Sequence, residues 1–306
     1  MGSVCGVGTD KVIIKELKVS TAIHKQHRMM PNQNTTGLVQ LPMYDWVEVR
    51  MATDALWSSI RCILIRQGIS SPETLDRDQI PEVAWLSPRL LLSQTCGLPL
   101  VQHLRGRVAV LGRFCFQGQP LSGHYHSVII ARDTSVAENF ESLVGQRVAI
   151  NHEASYSGCL TLKRWISLIA KDDVGFSRVI RTGSHRESVR AVATGFADTA
   201  AIDCVSWALA KRFDSITKSL KVVARTDNRP GLPLITSRGS SPSTLDALRI
   251  ALDEAIRTLG PTSRDTLGIT GFVAADDVDY NIIDDDLRRF GAVALTMDDL
   301  AEVGRG

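Results

Sequence analysis

From position 38 onward the apolar residues switch repeatedly between a strand-like and a helix-like period. Residues 38–44 (LVQLPMY) read as a first strand running into a loop. Val49, Ala52, Leu56, Ile60 and Ile63 then recur three or four positions apart, which lays one apolar face along a helix. Asp45 stands where it can cap that helix with Glu48 as capping-box partner, and Gly68 ends it. Strands are predicted at 83–86, 90–95, 107–111 and 127–131. Strand 147–151 leads into helix 158–170, strand 176–181 into helix 186–194, and strand 199–202 into helix 205–212. Strands 221–224 and 234–237 precede a last strong helix that starts at Pro242 behind Ser241. Its stripe is Leu245, Leu248, Leu252, Ile256 and Leu259, and Gly260-Pro261 stops it. The acidic stretch 276–286 reads as solvated surface, because it lacks the spacing of a calcium loop. Strands alternating with helices over this length predict an α/β protein with mostly parallel sheets.

The chain has 306 residues, enough for two core-bearing lobes, and 35 Lys plus Arg against 33 Asp plus Glu. That balance argues against a nucleic-acid footprint, so a bound anion must be held by a local site. No apolar run approaches the roughly 18–20 residues of a membrane-spanning helix. Residues 1–36 carry Lys11, Lys15, Glu16, Lys18, His24, Lys25, His27 and Arg28 without an unbroken apolar segment. They read as a poorly ordered N-terminal extension rather than a secretory signal, and the chain taken alone reads as cytoplasmic. The six cysteines are scattered and include no CxxC pair; whether Cys96 and Cys204 meet is open.

Candidate chemistry collects in four turns, each at the end of a predicted strand. In 151–158 (NHEASYSG), Ser155 and Ser157 can present hydroxyls while the amides of Gly158, Cys159 and Leu160 open a helix, which makes an anion pocket. The bland alternative is an N-cap at Ser157. In 182–188 (TGSHRES), His185 can donate to an oxyanion or be an incidental surface residue. In 200–204 (AAIDC), Asp203 can accept from a ligand hydroxyl or ammonium or simply cap a helix. The fourth turn, 92–97, brings Gln94 and Thr95. Ligands of α/β sheets bind at such strand ends. His124 and His126 form an HxH with no third metal ligand at a useful spacing, and no nucleophile elbow, metalloprotease, P-loop or dinucleotide fingerprint is present.

The segments LPMYDWVEVRMATDALW, LLLSQTCGLPL, GHYHSVIIAR, LVGQRVAINHEASYSG, TGSHRESVRAVATGFADTAAIDCVSWAL and PGLPLITS, in this order across residues 38–290, resemble the phosphate/phosphonate-type substrate-binding proteins of ABC importers. The resemblance implies a two-lobe class II periplasmic-binding-protein fold with two crossover strands. Lobe 1 is then 37–124 plus 225–306 and lobe 2 is 125–224, with crossings near Tyr125 and Ala224. It implies that Ser155, Ser157 and Gly158 form an oxyanion site at a helix N-terminus. Tyr44, Thr95, Tyr125, His185 and Asp203 would line the cleft. It further implies a small oxyanion ligand, phosphonate- or phosphate-like, an ABC permease as partner and a periplasmic location. No cofactor, metal, catalytic residue or nucleic acid is implied. A carboxylate, sulfonate or phosphate ester also suits a serine-rich helix end. Two other functions fit the same fold: a cytosolic enzyme of cofactor or pyrimidine biosynthesis using His185, Cys204 or Cys96, and a ligand sensor whose closed form binds a partner.

Overall fold

A computed structural model describes residues 37–119, 122–169 and 175–296; the order expected for residues 1–36 lies outside these. The predicted alternation builds two five-stranded sheets. The first has the order β1 (Leu38–Val39), β2 (Leu90–Gln94), β11 (Pro233–Ser237), β3 (Val108–Phe116), β12 (Ile269–Ala274). The second has the order β7 (Arg178–Arg181), β6 (Arg147–Ile150), β8 (Thr199–Asp203), β5 (Ser127–Arg132), β9 (Leu220–Arg225). Between them the chain crosses twice as an antiparallel ribbon of β4 (His124–Tyr125) and β10 (Arg229–Pro230), with Arg229 opposite Tyr125.

The expectation of mostly parallel sheets is corrected. Among the described strand pairs only β1–β2, β6–β7 and β6–β8 are parallel. β11 runs against β2 and β3, β12 against β3, and β5 against β8 and β9. The crossover explains this in the second sheet. Ser127, the first residue of β5, lies opposite Asp203, the last of β8. A strand that enters from the ribbon therefore runs away from the end toward which β6, β7 and β8 run.

Helices cover both faces. On the first sheet, α1 (Arg50–Arg66) and α7 (Pro242–Thr258) bury Leu56, Trp57, Ile60, Leu248, Leu252 and Ile256 in one core cluster. The opposite face takes α2 (Pro81–Ala84), α3 (Gly97–Pro99) and α9 (Asn281–Phe290), with Trp85, Leu98, Tyr280 and Ile283 inward. α4 (Thr161–Ile169) lies on one face of the second sheet, and α5 (His185–Ala193) and α6 (Cys204–Phe213) on the other. α8 is Pro261–Leu267. Among the described residues no helix is long and apolar enough to cross a membrane.

Three local readings and one lobe bound taken from the resemblance are corrected. Residues 83–86 are not a strand: Pro81 starts the helical turn α2, and the Trp85 indole donates to the Gln94 carbonyl at 3.2 Å. Asp45 does not cap α1, which is preceded by a 3-10 turn at Val47–Val49; its carboxylate instead accepts from Arg77 at 2.6 Å. The acidic stretch is not all solvated, because Asp286 is 5% exposed. Finally, residues 225–306 do not all stay with the first sheet. Leu295 is buried among Phe140, Leu162 and Phe176 beside the second, and its carbonyl accepts from the Phe176 amide at 2.8 Å.

Candidate functional site

A cleft of about 460 Å³ opens at the ends of β6, β7 and β8. It is lined from the first sheet's side by Tyr44, Trp46, Glu82, Trp85 and Cys96. From the second sheet's side it is lined by Asn151, Ser155, Ser157, His185, Arg186 and Asp203.

The turn after β6 is the anion-pocket candidate, and its wiring differs from the expected one. Ser155, in extended backbone, is the cap; its Oγ accepts from the Gly158 amide at 3.1 Å. The Ser155 carbonyl accepts from the amides of Cys159 and Leu160, closing a π-type turn over Tyr156–Leu160. The three amides expected to point outward are therefore satisfied internally. Among the described residues no acceptor reaches the Ser157 amide. The Ser157 hydroxyl lies 2.9 Å from His185 Nε2, and its carbonyl accepts from Ser127 Oγ at 2.8 Å.

His185 opens α5 because Ser184 caps that helix, accepting from the Glu187 amide at 3.1 Å. Burial pushes the imidazole down to about 4, while the Ala201 carbonyl pulls the other way, so the ring is neutral at neutral pH. Asp203 ends β8 and caps α6, with Oδ1 accepting from the amides of Val205 at 2.7 Å and Ser206 at 3.0 Å. Its Oδ2 accepts from the Tyr44 hydroxyl at 2.7 Å, a bond made across the cleft. Burial raises the Asp203 carboxyl pKa, opposed by these three donors, and burial also raises that of Tyr44.

Five of the eight predicted site residues thus line one cleft: Tyr44, Ser155, Ser157, His185 and Asp203. Three do not. Thr95 is fully buried behind it, with its amide donating to the Pro233 carbonyl at 3.0 Å. Tyr125 is buried in the ribbon cluster with Tyr156 and Leu232. Gly158 lies under the turn, where a Cβ would collide with Asn151 Oδ1 and crowd His185. Sequence reasoning missed Trp46, Glu82, Trp85 and Arg186. Arg186 carried a signal, being the neighbour of His185, whereas Trp85 carried none. The Arg186 guanidinium is held by Asp214 at 2.6 Å and Glu48 at 2.7 Å and lies 4.4 Å over the Trp46 ring.

The HxH pair does not act together: His124 Nδ1 faces the Ser122 carbonyl and His126 Nε2 faces Arg225. Among the described residues no group of three His, Cys, Asp or Glu is placed to hold a metal. Cys96 and Cys204 are both free thiols. Burial pushes both up, Cys204 to about 12.

Over residues 92–280 the chain matches the family described as ABC transporter, phosphonate, periplasmic substrate-binding protein. Curated protein sequences give no match. Solved structures share the fold at low identity. PhnD1 of Prochlorococcus marinus, solved with methylphosphonate, is 16% identical with a TM-score of 0.65, covering 84% of this chain and 99% of its own. A binding-protein component of an ABC phosphonate transporter from Pseudomonas aeruginosa is 17% identical with a TM-score of 0.64, covering 82% and 85%. A Xanthomonas citri protein bound to ATP is 18% identical with a TM-score of 0.63, covering 85% and 99%.

Proposed function

Because the chain belongs to the phosphonate-type periplasmic substrate-binding proteins of ABC transporters, we propose that it captures a small phosphonate in its cleft and delivers it to an ABC permease. The observation that carries this reading is the Ser157–His185 pair. A hydroxyl and a neutral imidazole share one hydrogen bond at a helix start in the cleft wall, so an oxyanion is met there by a neutral donor pair rather than by a free cation. Lobe 1 comprises 37–124 and the chain from 226 through α9, lobe 2 comprises 125–225 with residues 293–296 joining it, and the ribbon is the hinge. Ser155, as cap, holds the turn; Asp203 with Tyr44 closes the far side of the cleft. Thr95, Tyr125 and Gly158 support that wall from behind.

The role is binding without chemistry. An imidazole with its pKa near 4 is a weak general base, and thiols held protonated are poor nucleophiles, which speaks against the enzyme reading through His185, Cys96 or Cys204. A periplasmic location, proposed from the family, is checked by cell fractionation.

The reading is tested by calorimetric titration with methylphosphonate, phosphate and sulfate. Methylphosphonate is expected to bind, and the Ser155→Ala/Ser157→Ala variant to bind it roughly 10-fold more weakly or worse, since each hydrogen bond to a charged group contributes about 1.5–3 kcal/mol. Undiminished affinity in that variant removes the turn from the site.

A further inference from the structure

We propose that Asp286 is a positioning residue for the ligand-binding turn, acting through the Tyr156 hydroxyl and tying that turn to the hinge; the inference rests on the oxyanion reading of the cleft. Asp286 lies on α9, whose Ile283 and Phe290 pack against the first sheet. Its side chain is buried, and Oδ2 accepts from Tyr156 at 2.5 Å and from Arg229 Nε at 2.7 Å. Arg164 of α4, the helix that continues the turn, brings its Nε to 3.6 Å from Oδ1 and also pairs with Asp227 at 2.6 Å. One carboxylate therefore gathers the turn, the helix behind it and the ribbon.

Tyr156 stands between the two serines of the site, and its ring is buried with Tyr125, Leu160 and Leu232. Arg229 is the register partner of Tyr125 in the ribbon. A π-type turn is wider than an α-turn, and its own bonds fix its orientation less tightly. A tether on its first residue, held by a buried ion pair, sets the direction in which Ser157 and its amide face. Because the same carboxylate holds Arg229, the turn and the crossover strand keep one relative orientation as the lobes move. No ligand atom is required to touch Asp286.

The test compares Tyr156→Phe, Asp286→Asn and their combination with the wild type. Tyr156→Phe removes the tether while leaving no charge unpaired, so it keeps the question answerable if Asp286→Asn folds poorly. The readouts are methylphosphonate affinity below the melting range and amide hydrogen exchange over 155–160 without ligand. The expected result is about tenfold weaker binding in each single variant, and no further loss in the pair, because both act through one contact. Exchange over 155–160 is expected to quicken in both. Arg147→Met, which breaks an ion-pair network with Asp198 remote from the cleft, is the control. It should lower the melting temperature and leave affinity unchanged. Unchanged affinity in Tyr156→Phe, or losses that simply add in the double variant, would overturn the proposal. If the wild type does not bind methylphosphonate, the ligand reading fails by itself and exchange decides. Quicker exchange in Tyr156→Phe supports the tether, and unaltered exchange refutes it.

Discussion

Gly158 shows what a single residue can hold in place without touching ligand. An added Cβ would collide with Asn151 Oδ1 and stand 3.2 Å from the His185 ring, so Asn151, itself a residue of the cleft wall, must shift. Gly158→Ala should weaken methylphosphonate binding at least about tenfold and destabilise the fold by roughly 1–3 kcal/mol, as overpacking does; titration and thermal melting of the same sample check both. His185 sets an acid limit. Its folded pKa, near 4, lies below the unfolded value of about 6.5, so the unfolded state binds the extra proton between those values. Stability is therefore fully present above about pH 6.5 and falls as pH drops toward 4, by on the order of 2 kcal/mol after allowing for the ring's partial exposure. Denaturant unfolding at pH 7 and pH 4.5 should show that loss in the wild type and less of it in His185→Gln. An equal loss in both would assign the acid sensitivity elsewhere. At this scale the serines, His185 and Asp203 were legible because each is a polar residue at a predicted strand end, while Tyr44 was expected only from the family resemblance. Thr95 met the same description and lies behind the wall, as does Tyr125, expected from the resemblance alone, since sequence does not say which way a side chain faces at a turn.

Elements with strong local codes came out close to their prediction. α7 has Ser241 as its cap, accepting from the Thr244 amide at 3.1 Å, then Pro242, then its apolar stripe. Ser241→Ala should cost about 1 kcal/mol, read in denaturant unfolding, and leave ligand affinity alone because α7 packs on the first sheet's face among Leu56, Trp57 and Ile60. Any change in affinity would mean that this helix communicates with the cleft. The start of α1 failed because Asp45, an adequate cap by type, finds Arg77 and Arg50 instead, and an ion pair competes successfully with a backbone amide. The π-type turn at Tyr156–Leu160 failed for a different reason. One extra residue in the turn leaves the apolar period of α4 intact, so nothing in the pattern marks it.

Across the whole molecule the two lobes are clasped by contacts distant in sequence. Tyr44 donates to Asp203, Arg186 reaches Glu48 at 2.7 Å, and Arg212 donates to the Asp265 carbonyl at 2.9 Å. Exposed pairs contribute about 0–1 kcal/mol each, whereas a buried hydroxyl on a carboxylate contributes more. Tyr44→Phe combined with Glu48→Gln should shift the unliganded protein toward an open form, seen as a larger radius of gyration in solution scattering. Saturating methylphosphonate should restore the wild-type value, with apparent affinity reduced by the fraction no longer closed. A scattering profile identical to that of the wild type would show that these contacts do not bias closure.

The α/β class and the strand–turn–helix units at Ser155, His185 and Asp203 are written in the local sequence, whereas the crossings near Tyr125 and Ala224 were expected from the family resemblance and from no local signal. The class and the units follow from periodicity, caps and turn residues, which act over a few positions. Tertiary structure alone decided strand direction within the sheets, which polar side chains face the cleft, and the pairings on which the site depends. Tyr44 meets Asp203 across 159 residues, and Tyr156 meets Asp286 across 130. Such contacts exist only after the sheets have packed, because burial raises the cost of an unpaired polar group and so selects partners that no local pattern encodes.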